Sequence, residues 1–333
     1  MSPPENGPVS PMAKIGLIGC GMWGRNICRN AASLNVLAAV GDQDIERAKH
    51  FADDFEVEAT SVEEMIAHSE IEGIMMATNP ASHEELACAA LAAGKHVYVE
   101  KPLAMSLDEA KRIRTAAQNA GKQVMVGHLI RYHAAFQELC RQVENGAIGH
   151  LRHIQANRLA MGRIRNTESV LLDLCPHDLS LILALTGALP SHVRAHGVSH
   201  ITPGVVDILS TGLSFEGGVS AMMQTSWISP YKEHRLTVTG SSGALVFDDT
   251  KPWPEKLTLY QDNIQQSGAL FMIERASPIA LPVAESEPLK EEVAAFVEVC
   301  QTGSPAKTDI EEALLVQQVL EMMQNQLVDF NTA

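Results

Sequence analysis

With 333 residues the chain can hold two domains and a sizeable core, and 46% apolar with 20% charged residues is an ordinary globular balance. A formal net charge of -15 excludes nucleic acid and anionic membrane as partners, because each demands a basic face. Six scattered cysteines (Cys20, Cys28, Cys88, Cys140, Cys175 and Cys300), with no C-x-x-C, suit a reducing compartment. The opening MSPPENGPVSP has neither the basic nor the apolar region of a signal peptide, and no apolar run approaches the roughly 18 residues of a membrane span. A soluble, cytoplasmic protein is expected.

From Met12 to about Gly127 the pattern predicts alternating strands and helices. The strands fall at Ala13–Cys20, Val36–Asp42, Ile71–Asn79, Lys95–Lys101 and Lys122–Gly127. The helices fall at Met22–Leu34, Asp44–Phe55, Ser61–His68, Ser82–Ala93 and Ser106–Ala120. Such alternation implies right-handed crossovers and a parallel sheet. The first turn carries Gly19-Cys-Gly21-Met22-Trp23-Gly24, a G-x-G-x-x-G that suits a tight turn, a close pyrophosphate and close helix–strand packing. The following helix N-terminus would supply free N–H groups to the phosphates. Asp42 ends the next strand about 20 residues on, where an acid reads the ribose hydroxyls. Together these predict a Rossmann domain over residues 12–127. Asp42 repels a 2′-phosphate and favours NAD over NADP, although Arg47 stands near enough in sequence to assist a phosphate.

Two further strand ends face the same crevice, since ligands sit outside the carboxyl ends of a doubly wound sheet. One bears Thr78, Asn79 and then His83; these either line the crevice or merely build a turn, with Ser82 as an N-cap. The other ends in Glu100-Lys101-Pro102, so Lys101 either faces the cofactor or is a surface lysine at a strand end.

Residues 128–333 read as an α+β substrate-binding and oligomerisation domain. A helix (about Ala134–Asn145) precedes a strand (Leu151–Leu159), and a second helix runs from about Asp173 to Leu185. Strands follow at Val193–His200, Val205–Phe215, Gly218–Trp227, Leu236–Thr239, Ala244–Phe247 and Leu257–Tyr260. Short turns between them predict a large, open, mostly antiparallel sheet, whose uncovered face predicts a homodimer or homotetramer. Gln261–Pro288 reads as an irregular loop and the end of the chain as helical.

In Asp173-Leu-Cys-Pro-His177-Asp178 the proline requires the helix to start close by, which suggests Asp173 as N-cap and His177 in the first turn. The positive helix end would keep His177 neutral and able to accept a proton; equally, it could simply fill space. Arg131, Arg141, Arg152, Arg158, Arg163 and Arg165 crowd one interval opposed by Glu138 and Glu144, a patch suited to an anionic substrate. His192, His196 and His200 look like a metal triplet, but on a strand residues four apart stand about 13 Å apart. No metal is expected.

Gly19–Gly24, Asp42, Ala92-Ala-Gly-Lys-His-Val-Tyr-Val-Glu-Lys-Pro102 and the D-x-x-x-H of Asp173–His177 resemble the Gfo/Idh/MocA family, which includes glucose–fructose oxidoreductase and inositol dehydrogenase. The resemblance extends from about Ala13 to Leu327. It implies an NAD(P)-dependent dehydrogenase acting on a CH-OH group, with Lys101, Asp173 and His177 as the catalytic group. Cofactor contacts are implied for Gly19, Gly21, Met22, Trp23, Gly24, Asp42, Thr78, Asn79, His83 and Glu100. Val126-Gly-His128-Leu-Ile-Arg131 resembles the family's V-G-x-x-x-R segment, with Ala134 where a proline is common. The run Asn157-Arg158-Leu-Ala-Met-Gly-Arg163-Ile-Arg165 is most similar to the sugar-nucleotide branch, whose members oxidise C3 of UDP-N-acetylglucosaminuronate. This implies substrate contacts from His128, Arg131, Asn157, Arg158, Arg163 and Arg165. Cys175 and Ser180 depart from the residues common around the D-x-x-x-H. A free cyclitol or sugar dehydrogenase, an NAD-dependent glycosidase and a non-catalytic NAD-binding regulator are the alternatives; the regulator could dispense with the lysine or histidine that this chain keeps.

Overall fold

The computed structural model describes residues 13–166 and 168–327. The eleven-residue opening, Met12 and residues 328–333 of the expected second domain lie outside the described residues. Two compact units are present. One comprises the chain up to Ala104, Glu109–Gly127 and Leu289–Ile310; the other comprises Met105–Asp108, His128–Pro288 and the chain from Glu311.

In the first unit β1 (Ile15–Ile18), α1 (Met22–Ser33), β2 (Leu37–Gly41), α2 (Ile45–Phe55), β3 (Glu58–Thr60), α3 (Val62–Ala67), β4 (Gly73–Met76), α4 (His83–Ala92), β5 (His96–Val99), α5 (Leu107–Ala120) and β6 (Val124–Val126) follow in order. The strands form one parallel sheet in the order β3-β2-β1-β4-β5-β6, a doubly wound arrangement. β1, β4 and β5 are buried at every residue, which is why they read as unbroken apolar runs. Asp44 caps α2 by accepting from the Glu46 and Arg47 amides, and Ser61 with Glu64 forms a capping box on α3. The expectation lacked β3, three residues ahead of that cap. A late helix returns to this unit: from Leu289 onward it packs Phe296 against Tyr98, ring centres 5.9 Å apart.

The second unit contains α6 (Ala134–Glu144), β7 (Leu151–Met161), α7 (Val170–Asp173), α8 (Cys175–Thr186), β8 (His192–Val198), β9 (Ile208–Ser214), β10 (Ser220–Ser226), β11 (Ile228–Gly240), β12 (Ala244–Asp248), β13 (Leu257–Tyr260), β14 (Asn263–Ser267), β15 (Leu270–Glu274) and β16 (Ile279–Ala280). The helix returning to the first unit is α9 (Pro288–Thr302), and α10 (Ile310–Gln324) follows. Eight strands run β16-β13-β12-β11-β7-β10-β9-β8; the β7–β10 pair is parallel and the other pairs are antiparallel. Leu213, Met223, Leu236 and Phe247 point from one face into a core shared with Leu179 and Ile182 of α8 and Val319 of α10. Met222 and Tyr231 stand on the exposed surface. The stretch read as an irregular loop, 261–288, contains the β14–β15 hairpin around Gly268, with Ile264, Leu270, Phe271 and Ile273 all exposed. Among the described residues no helix is long and apolar enough to cross a membrane.

One histidine in each unit is held far below its usual range. Burial, then the Lys122 charge, lowers His96 from the usual 6.5 to about 4. Burial, then Arg158 and Lys232, lowers His234 equally, to about 4. On acidification the unfolded chain takes up these protons near 6.5 and the folded chain only near 4, so their contribution is intact above 6.5 and lost as the pH falls to 4. Chemical denaturation across that window should therefore show falling stability, and His96→Gln should flatten the fall.

Candidate functional site

The β1–α1 turn has the shape of a phosphate cradle. Gly19 sits at φ +107°, where a Cβ would stand 2.6 Å from the Ala77 carbonyl oxygen. A Cβ on Gly24 would lie 2.0 Å from the Gly19 oxygen, so this glycine lets α1 approach the strand end. A Cβ on Gly21 would meet nothing within 4 Å. Gly21 is also the N-cap of α1 and offers no capping side chain, so first-turn N–H groups remain available to an anion. The cradle opens into a cleft of about 560 Å³ lined by Gly19, Gly21, Asp42, Arg47, Thr78 and Asn79, among others.

Asp42 is fixed at the end of β2. Its Oδ2 accepts from the Cys20 amide at 2.8 Å and its Oδ1 from the Asp44 amide at 3.0 Å, with Arg47 at 3.4 Å. Thr78 and Asn79 both build a turn and line the cleft: Asn79 Oδ1 accepts from the Ala81 amide, and Ser82 Oγ donates to Thr78 Oγ1 at 2.9 Å. A cradle with open space at Gly21 and a fixed acid on β2 suits a dinucleotide.

β5 ends in the Glu100–Lys101 pair. Glu100 is buried and accepts from Trp23 Nε1 at 2.5 Å, the Tyr98 hydroxyl at 2.8 Å and the Lys101 amide at 3.2 Å. The Lys101–Pro102 peptide is cis. His83 is wholly buried; burial lowers its pKa, and the neutral ring donates from Nδ1 to the Pro102 carbonyl at 2.9 Å. It therefore steadies the segment that bears Lys101 rather than lining the cleft. Met22 is exposed on the first turn of α1.

In the second unit Asp173 is the last residue of α7, and Leu174 is the N-cap of α8. The helix thus starts later than the sequence suggested, because Pro176 fits only within its first two positions. Asp173 Oδ1 accepts from Arg165 Nη2 at 3.1 Å and Oδ2 from Trp227 Nε1 at 3.0 Å. His177 lies half-buried in the first turn of α8. Arg158 and Asn157 are adjacent on β7 but take opposite faces. Arg158 forks onto buried Asp178, Nη2–Oδ1 2.7 Å, whereas Asn157 donates to Glu233 at 2.8 Å. Arg165 also pairs with Glu168 at 3.3 Å, while Arg163 is exposed. Glu312, on α10, gathers His128 Nδ1 at 2.7 Å and Arg131 Nη1 at 3.4 Å. Burial pushes Glu312 up, but those two partners outweigh it and hold the carboxyl below its usual range. Nothing in the sequence pointed to Glu312, which lies 184 residues from His128. Among the described residues no three His, Cys, Asp or Glu side chains are placed to hold a metal ion.

A doubly wound sheet with this cradle and a fixed acid at the end of β2 is the arrangement of a dinucleotide-binding enzyme. Residues 13–128 match the oxidoreductase family with NAD-binding Rossmann fold, and residues 136–246 match the GFO/IDH/MocA C-terminal domain. The chain is 33% identical over 227 residues to the UDP-N-acetylglucosamine 3-dehydrogenase of Acidithiobacillus ferrooxidans, covering 68% of this chain and 70% of that one. A solved structure of that enzyme has a TM-score of 0.81 at 26% identity, covering 94% of this chain and 97% of the other. The myo-inositol 2-dehydrogenase of Thermotoga maritima is 26% identical over 307 residues, 88% of this chain and 89% of its own. The chain belongs to the Gfo/Idh/MocA family and is an NAD-binding oxidoreductase.

The cradle separates two glycine variants. Gly21→Ala, whose added Cβ meets nothing within 4 Å, should cost ligand-free stability no more than about 1 kcal/mol yet weaken NAD binding more than tenfold. Gly24→Ala should itself cost about 1–3 kcal/mol through the clash with the Gly19 carbonyl. Thermal melts with and without NAD, plus calorimetric titration, check both.

Proposed function

We propose that this enzyme works in the cytoplasm and oxidises a secondary carbinol of a sugar nucleotide, C3 of a UDP-sugar such as UDP-N-acetylglucosaminuronate. The observation that carries the substrate class is the 33% identity to a relative named for C3 oxidation of a UDP-sugar. In this reading the first unit binds the nucleotide cofactor and the second binds the substrate.

NAD, when bound, supplies the hydride acceptor. His177 takes the hydroxyl proton from the carbinol. Asp173, immobilised by Arg165 and Trp227, holds the substrate or the base in register. Lys101 meets the developing alkoxide with positive charge, an effect of roughly 3–4 kcal/mol for a well-placed donor. Arg163, which is exposed, is the best placed of these arginines for a diphosphate, since most of the Arg158 fork is committed to Asp178 and Arg165 is paired with Asp173 and Glu168. His128 and Arg131 complete the substrate set, whereas Asn157 points to the opposite face of the sheet from Arg158, donates to Glu233 and falls outside it. The outer face of the large sheet, bearing Met222 and Tyr231, carries the homodimer or homotetramer contact.

Lys101→Ala and His177→Ala should each lower turnover by at least about a hundredfold while NAD affinity stays within a few fold. Wild-type rates in both variants would end the assignment. Stoichiometric enzyme with NAD, offered UDP-N-acetylglucosaminuronate, UDP-N-acetylglucosamine, myo-inositol and glucose in turn, identifies the substrate by the absorbance of reduced nicotinamide. A burst with a UDP-sugar alone supports the sugar-nucleotide reading, and Arg163→Ala should then raise KM with little effect on kcat. A burst with inositol favours a cyclitol dehydrogenase, the reading suggested by the longer match to the inositol enzyme.

A further inference from the structure

Two carboxyl groups in the first unit share one phenol. Tyr98, on β5 and without exposed surface, has its hydroxyl 2.8 Å from Glu100 Oε1 and 3.0 Å from Glu292 Oε2. Glu292 comes from α9, 194 residues along the chain, and is itself wholly buried. A phenol has one proton, so Tyr98 donates to one carboxyl and accepts from the other.

The remaining contacts decide which is which. Glu100 also receives the Trp23 indole N–H and the Lys101 amide N–H, both of which can only donate, and the Lys101 ammonium favours its charged form. Glu100 is therefore the carboxylate, and takes the Tyr98 proton as its third donor. Glu292 meets only the phenol oxygen through Oε2, and its Oε1 has no hydrogen-bond partner. An ionised Glu292 would leave a charged oxygen bare in the interior, whereas a neutral acid donates from Oε2 and leaves only a carbonyl bare. Burial, then the Glu100 charge, pushes Glu292 well above the carboxylate range. Burial raises Glu100 as well, but Trp23, Tyr98 and Lys101 each favour its charged form and offset part of that rise, and Glu292 has no counterpart of Trp23 or Lys101. Two negative charges on one buried phenol are not sustainable, so the shared proton stays on Glu292.

The hydrogen bonds then run in one direction, from Glu292 to Tyr98 to Glu100, and Glu100 holds Trp23 of the glycine turn and the main chain of Lys101. We propose that Glu292 is a positioning residue, a carboxylic acid kept neutral at physiological pH, which orients Tyr98 onto Glu100 and so sets the two segments that receive NAD. The inference rests on NAD binding and not on the identity of the sugar.

The test compares the wild type with Glu292→Gln, Glu292→Leu and Tyr98→Phe, all as full chains. At about pH 8, far above the usual carboxyl range, infrared difference spectra of wild type against Glu292→Gln should show a protonated-carboxyl carbonyl band in the wild type alone. Gln can donate to Tyr98 as the neutral acid does, so Glu292→Gln should bind NAD within about twofold of wild type. Glu292→Leu and Tyr98→Phe should each lose about three- to tenfold in NAD affinity, the effect of one neutral hydrogen bond. No such band, a band that survives in Glu292→Gln, or a Gln variant as weak as the Leu variant would each overturn the proposal. If Glu292→Leu does not fold, the infrared comparison and the Gln and Phe variants still decide it. A failed substrate panel would leave these readouts intact, so the two proposals fail separately.

Discussion

A carboxylate placed out of water must be met by donors, or it destabilises the fold by several kcal/mol. Glu100 is that group here, and much of the first unit is arranged around it. α1 contributes the Trp23 indole, β5 the Tyr98 hydroxyl, and the chain itself the Lys101 amide. Even the next strand yields space: a Cβ on Gly127 would stand 2.6 Å from the Tyr98 hydroxyl and 2.9 Å from Glu100 Oε2. The glycine turn, the strand before Lys101 and the residue after β6 are thus tied to one charge. The glycine turn and the main chain of Lys101 gain their fixed geometry from that shared anchor.

The second unit solves the converse problem, that of confined cations in an acidic protein. Arg158 is answered by Asp178, Arg165 by Asp173 and Glu168, and Arg131 by Glu312. Breaking the buried Arg158–Asp178 pair from one side costs about 3–5 kcal/mol, because the remaining charge keeps its desolvation penalty. Pairing also fixes the side chains: the carboxylate of Asp173 is aimed by a guanidinium on one oxygen and an indole on the other. An arginine-dense stretch is therefore partly a scaffold, and the N–H groups left over are what a ligand can use.

Much of this was legible in the chain. The strand–helix alternation, the glycine turn and Asp42 are local signals, and local periodicity is what an amino-acid sequence displays directly. β3 escaped because three residues carry no period. The β14–β15 hairpin escaped because Leu270, Phe271, Met272 and Ile273 are consecutive apolar residues, without the alternation that marks a half-buried strand. Ser267-Gly268 was the available turn signal. Partnerships over long separations left no trace: Asp178 for Arg158, Glu312 for His128, Glu292 for Tyr98. Glu292 lies in the apolar stripe of α9 beside Leu289, Val293 and Phe296, and an acid in such a stripe was the one hint that it would be buried.

The return of α9 to the first unit sets an order of events during synthesis. Phe296, which packs on Tyr98, and Glu292, which hydrogen-bonds it, are translated after the whole of His128–Pro288. At about 5–20 residues per second, that intervening stretch keeps the nascent nucleotide-binding half waiting on the order of ten to thirty seconds. During that interval the Tyr98 ring and the Glu100 carboxylate lack their partner helix. The nucleotide-binding half thus depends on a segment made after the sheet of the second unit, and the Glu100 anchor gains its full backing only once α9 has emerged.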